Sequence, residues 1–116
     1  MFLNLKHKSL TAYTKIWELT KEIYKISTLL PAEERFNMVQ QIRRAALSVK
    51  LNFAEGSTRK SERERKRYYE ISRGSVVEID AALETSVDLE YFKIGQLEKS
   101  GILLNECFAI LSKMIG

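Results

Sequence analysis

A chain of 116 residues with 45% hydrophobic and 29% charged side chains has the size and composition of one globular domain with a continuous core. One proline and five glycines exclude a turn-rich sheet architecture and a disordered tail. Lysines interrupt any signal-peptide pattern, and no apolar run approaches the roughly 20 residues of a membrane span. The net charge of +4 hides a division: residues 1–67 carry fifteen Lys/Arg against seven Asp/Glu, and residues 68–116 carry four against eight. Segregated charge matters more for partner choice than the total. The single cysteine, Cys107, excludes an internal disulfide and suits a reducing cytoplasm.

Residues 9–30 predict a first helix, with Tyr13, Ile16, Thr20, Ile23, Ser27 and Leu30 in steps of three and four, widened by Leu10, Trp17 and Tyr24. Leu30-Pro31 breaks it, and Pro31 with Glu33 and Glu34 suits the first turn of a second helix over about 32–55. That helix has two apolar stripes. Val39, Ile42, Ala46, Val49 and Phe53 serve the core, whereas Leu47, Leu51 and Ala54 point elsewhere, toward another subunit or a long neighbouring helix. Gly56 is placed to end the helix in a left-handed conformation.

Ser61-Glu62-Arg63-Glu64 reads as a capping box opening a third helix over about 61–91, with Tyr69, Ser72, Val76, Ile79 and Leu83 on one face. Gly74 in its middle signals close backbone approach, with Ser75 and Ala45-Ala46 as matching small surfaces. A fourth helix over about 96–114 carries Leu97, Leu104, Cys107, Leu111 and Met114. Short connections imply an all-α, up-down-up-down antiparallel four-helix bundle formed by residues 1–116 as one domain. Such a bundle is basic at one end (Lys6, Lys8, Arg59, Lys60, Arg63, Lys113) and acidic at the other (Glu33, Glu34, Asp88, Glu90).

The basic run 59–67 reads either as a solvated helix start or as a surface for a polyanion. Arg59, Lys60, Arg63, Lys66 and Arg67 are its phosphate-binding candidates, with Arg43, Arg44 and Lys50 as an extension. Tyr68 beside it is placed to stack on a base, while Tyr69 falls on the core stripe. Asn52, Glu55, Arg73 and Glu78 read as a structural network between the second and third helices; the alternative, a metal or acid–base carboxylate site, lacks a His or nucleophile. His7 stands alone, so no metal site is drawn, and Cys107 reads as a core thiol. Ser48, Ser72 and Ser75 have no His partner, no phosphate-binding glycine loop is present, and no cofactor or catalytic apparatus is implied.

The segment Gln40–Gly56, with Asn52-Phe53-Ala54-Glu55-Gly56, and the segment Arg73-Gly74-Ser75-Val76-Val77-Glu78 together resemble the small bundle proteins encoded in intervening sequences of bacterial 23S ribosomal RNA genes. The resemblance extends to the lead-in His7-Lys8-Ser9-Leu10 and the connection Leu30-Pro31-Ala32-Glu33-Glu34-Arg35. Lys50, where the family often has a small residue or Pro, and the dense 59–67 run depart from it. The family is related to the accessory variability protein of diversity-generating retroelements, which binds nucleic acid and a reverse transcriptase. The resemblance implies a homopentamer of side-by-side subunits and an accessory rather than enzymatic role. Two functions of different class follow: an oligomeric accessory protein whose basic end binds RNA or DNA, and a protein-only scaffold whose basic end docks an acidic partner. Salt dependence separates them, because counterion release makes nucleic-acid affinity fall log-linearly with salt.

Overall fold

The computed structural model describes residues 1–116 and contains four α-helices and no strand: α1 (Thr11–Ser27), α2 (Met38–Ser57), α3 (Glu62–Asp88) and α4 (Glu98–Ile115). Short 3₁₀ turns at Lys6–Ser9, Ala32–Glu34 and Ile94–Leu97 join or precede them. The helices form a bundle in which α1 touches α2, α2 touches α3, α3 touches α4 and α4 returns to α1. Neighbours meet in reverse residue order: Ser27 with Arg43, Tyr69 with Ser57, and Ser112 with Arg73. No helix is long and apolar enough to cross a membrane.

The core follows the expected stripes on three helices. Ile42, Ala46, Val49 and Phe53 of α2, Tyr69, Val76, Ile79 and Leu83 of α3, and Leu104, Cys107 and Leu111 of α4 are all buried. Burial, and then the charge of Glu106, push the Cys107 thiol up to about 12, so it behaves as an apolar filler. On α1 the buried face is centred on Ala12, Ile16, Leu19, Ile23 and Ile26. Leu10 and Trp17, expected to widen the core stripe, are both 44% exposed.

The α2–α3 contact is the most extensive, and serines hydrogen-bond across it. Ser72 Oγ donates to the Val49 carbonyl at 2.7 Å, and Ser75 Oγ to Ser48 Oγ at 2.7 Å. Buried hydroxyls on opposed helices are thus satisfied across the seam, at a net gain of about 1 kcal/mol each. Gly56 lies inside the last turn of α2, and a methyl added there would stand 2.6 Å from Tyr68 Cβ. Its role is therefore close approach, not the left-handed termination expected of it; the only glycine with positive φ is Gly116. Gly74 is the converse, exposed and with nothing within 4 Å of an added Cβ, so it marks no close approach.

Pro31 also opens a different structure from the one expected. It begins the 3₁₀ turn Ala32–Glu34, and α2 starts only at Met38. The Glu34 carboxylate accepts from Asn37 Nδ2 at 3.1 Å, more weakly from the Met38 amide at 3.4 Å, and from Tyr91 Oη at 2.8 Å. One carboxylate thus helps satisfy the start of α2 and ties it to the α3–α4 connection. At the other end, Ser61 Oγ accepts from the Glu64 amide at 3.2 Å to cap α3. The reciprocal half of a capping box, a Glu64 carboxylate returning to the Ser61 amide, is not formed.

Candidate nucleic-acid interface

The basic run occupies the α2–α3 junction and the first turns of α3, and much of it is engaged in holding that junction. Arg65 Nη1 donates to the carbonyls of Arg59 at 3.0 Å and Lys60 at 2.7 Å, fixing the chain between the helices. Arg59 Nη2 donates to Glu55 Oε1 at 2.7 Å and to Tyr68 Oη at 3.1 Å, with its guanidinium 4.9 Å from the Tyr68 ring centroid. Tyr68, foremost, and then the Glu55 and Glu64 carboxylates raise the Arg59 pKa above its ordinary value. Lys66 lies 3.4 Å from Glu62. Tyr68 is therefore covered by Arg59 and is not a free stacking platform, as the sequence had suggested.

Lys60, Arg63 and Arg67 remain. The side chains of all three are exposed, form no hydrogen bond or ion pair, and recur at steps of three and four, which places Arg63 and Arg67 on one side of α3. Glu64 and Glu70 are exposed on the same helix without partners. Exposed Lys6 and Lys113 augment the cations. His7 rests against Phe53, which stacks on Tyr69, and Lys66 lies beside Gly116, so both chain ends meet the start of α3.

The extension through Arg43, Arg44 and Lys50 does not hold. Arg43 Nε donates to Ser27 Oγ at 2.7 Å and its guanidinium lies 5.3 Å from the Tyr24 ring, so it joins α2 to α1. The Lys50 ammonium lies 5.9 Å from the Tyr13 ring, also on the α1 side, and burial lowers its pKa. Arg44 is exposed but stands fifteen residues before Arg59, about 22 Å along a helix axis.

The expected network of Asn52, Glu55, Arg73 and Glu78 is likewise not assembled within the chain. Asn52 Nδ2 donates to the Ser48 carbonyl and to Ser48 Oγ, at 2.9 and 3.0 Å. Glu55 belongs to Arg59. Arg73 Nη1 donates to Ser112 Oγ at 3.1 Å, and the guanidinium lies 5.7 Å from the Phe108 ring, both on α4. Glu78 is exposed and unpartnered. The physical reason is angular: Ser72 and Ser75 face α2, and Arg73, one residue on from Ser72, is rotated by about 100° toward α4. The serines that do join α2 to α3 were read from the sequence as a core-face residue (Ser72), a small packing surface (Ser75) and hydroxyls without a His partner, and not as hydrogen bonds across the seam. Their signal was the spacing of Ser72 and Ser75 along the core stripe.

No group of three or more His, Cys, Asp or Glu is arranged to hold a metal ion. No curated protein matches the sequence. A crystal structure of a protein of unknown function from the S23 ribosomal protein family, from Bacteroides thetaiotaomicron, superposes with a TM-score of 0.83 at 24% identity. The match covers 90% of this chain and 98% of that one, and at this identity it speaks for the fold alone. No enzymatic family is indicated. The family model described as 23S rRNA-intervening sequence protein matches residues 8–113, and the chain belongs to that family.

Proposed function

We propose that this protein is a cytoplasmic, non-enzymatic accessory protein that assembles as a homo-oligomer, a pentamer by resemblance, and binds nucleic acid at its basic end. The observation that carries the reading is the set of unpaired, exposed cations Lys60, Arg63 and Arg67 beside Lys6 and Lys113. Arg59 and Lys66, named with them from the sequence, are held by Glu55 and Glu62 and play the lesser part. With Tyr68 covered, recognition rests on phosphates rather than bases, without strong sequence preference. Three cations are a weak patch, and repetition around an oligomer raises avidity without new contact types.

The test is fluorescence anisotropy of a labelled RNA and a labelled duplex DNA across a salt series. Wild-type protein is expected to bind at low salt, with log affinity falling by about 0.7 to 0.9 per phosphate contact per decade of salt. Lys60→Glu with Arg63→Glu and Arg67→Glu is expected to abolish binding while helicity and oligomeric mass stay unchanged. Absence of any binding by wild type at low salt overturns the reading in favour of the protein-only scaffold that docks an acidic partner, such as a reverse transcriptase.

A further inference from the structure

A cavity of about 570 Å³ opens between the C-terminal half of α3 and the first turns of α4. Leu83, Val87, Leu97 and Leu104 give it an apolar lining. Asp80, Glu84 and Asp88, at steps of four along α3, and Glu98 of α4 give it an acidic one. No lysine or arginine lines it, and none of the four carboxylates has an ion-pair partner in the chain. Ile94, 81% exposed, adds apolar surface beside it. An apolar trough among unpaired like charges is complementary to a cationic segment with apolar anchors.

The chain itself displays such a segment. Met1, Phe2 and Leu3 are 97%, 90% and 66% exposed beside Trp17 and Leu51, and exposed Lys6 and half-buried Lys8, whose Nζ donates to the Leu3 carbonyl, follow within one short lead. The free cations of α3 fit less well, because Lys60, Arg63 and Arg67 have no exposed apolar neighbour among residues 60–67. The lysines of the lead cannot reach the carboxylates of their own chain. The lead leaves the bundle at His7, level with Tyr69 through Phe53, and the fifteen helical steps from Tyr69 to Glu84 rise about 22 Å. Lys6 and Lys8 adjoin His7 directly, so neither spans that rise.

We propose that the acidic trough receives the Met1–Lys8 lead of a second copy of this chain, with Phe2 and Leu3 as apolar anchors and Lys6 and Lys8 against the carboxylates. The contact joins different surfaces of two copies, head to tail, and draws Phe2 and Leu3 from beside Trp17 and Leu51 and Lys6 from the basic end.

The test titrates a labelled peptide of residues 1–9 into the full-length Phe2→Asp, Leu3→Asp variant, whose own lead no longer competes. Saturable binding in the micromolar range is expected, weakened about tenfold or more when Glu84→Lys and Asp88→Lys are added. A peptide carrying Lys6→Glu and Lys8→Glu is expected to reverse that preference. Circular dichroism establishes that the lysine variant folds; if it does not, Glu84→Gln with Asp88→Asn serves the same comparison. No saturation up to about 1 mM, or equal binding to the charge-altered trough, overturns the proposal. Equally tight binding of a scrambled peptide of the same composition also overturns it, and assigns the trough to basic segments of other proteins.

Discussion

Gly56 and Gly74 look alike in the sequence, each a glycine in a helical pattern, and the structure gives them opposite roles. An added methyl at Gly56 meets Tyr68 Cβ at 2.6 Å and the Arg65 carbonyl at 3.3 Å, atoms that move only if α3 moves. Gly56→Ala is therefore expected to destabilise by about 1–3 kcal/mol, the usual range for overpacking. Gly74→Ala meets nothing within 4 Å and is expected to stabilise by about 0.5–1 kcal/mol through helix propensity. Urea denaturation of the two variants checks both signs in one experiment. His7 supplies a second residue-level test. It is buried, with its ring centroid 5.7 Å from that of Tyr13 and 5.8 Å from that of Phe53. Burial, and then the charge of Lys8, lower its pKa from 6.5. Between the folded and unfolded pKa values the unfolded chain holds more protons, so stability rises with pH across that window. The contribution is complete above about pH 6.5 and is lost as pH falls through the folded pKa. The melting temperature is expected to drop between about pH 7 and 5, with a shallower slope in His7→Phe.

At the scale of helices and their connections, the stripes of α2, α3 and α4 were legible because burial and a period of 3.6 residues coincide there. The face of α1 was misplaced by Leu10 and Trp17, whose side chains are apolar but stay half exposed. The start of α2 was set six residues early because Pro31 suits the first turn of either helix type, and periodicity does not register a carboxylate acting across the fold. Glu34 is that carboxylate, shared among Asn37, Met38 and Tyr91, while Glu33 is exposed without a partner. Glu34→Ala is accordingly expected to destabilise by about 1–2 kcal/mol, and Glu33→Ala to stay within about 0.5 kcal/mol of wild type. Thermal unfolding monitored at 222 nm (the usual helix band) distinguishes them. Of the candidate site, the location of the basic run was legible and its use was not. Which cations are free depends on the Glu55, Glu62 and Tyr68 partners that the helix turn brings to Arg59 and Lys66. The Glu55–Arg73 pairing failed for a related reason: spacing along a chain gives a helix face only to within one residue, and one residue is enough to turn Arg73 from α2 to α4.

For the whole molecule, the surface that most needs a partner is the outer face of α2. Leu47 is 40% and Leu51 60% exposed, and Leu51 and Ala54 also line a trough with Trp17, Tyr13 and the chain's first residues. Leu47, Leu51 and Ala54 are the second stripe read from the sequence, flanked by Arg43, Arg44, Ser48 and Asn52 on one side and by Tyr13 and Trp17 of α1 on the other. Contiguous apolar surface of this kind on a small protein marks an interaction site. A side-by-side contact between copies would bury it while leaving the start of α3 in solvent, where Lys60, Arg63 and Arg67 stand. Size exclusion coupled to light scattering is expected to give a mass several times the 13.4 kDa of one chain. Leu47→Glu with Leu51→Glu is expected to reduce it toward one chain, because each added carboxylate must lose its hydration for the contact to form. Helicity should persist, since both side chains lie outside the core. The same variant is expected to bind RNA far more weakly at a given salt concentration, though every cation is intact, because repetition of the patch is lost. Wild type eluting at 13.4 kDa, or a variant that keeps both its mass and its RNA affinity, would show that this face does not assemble the protein.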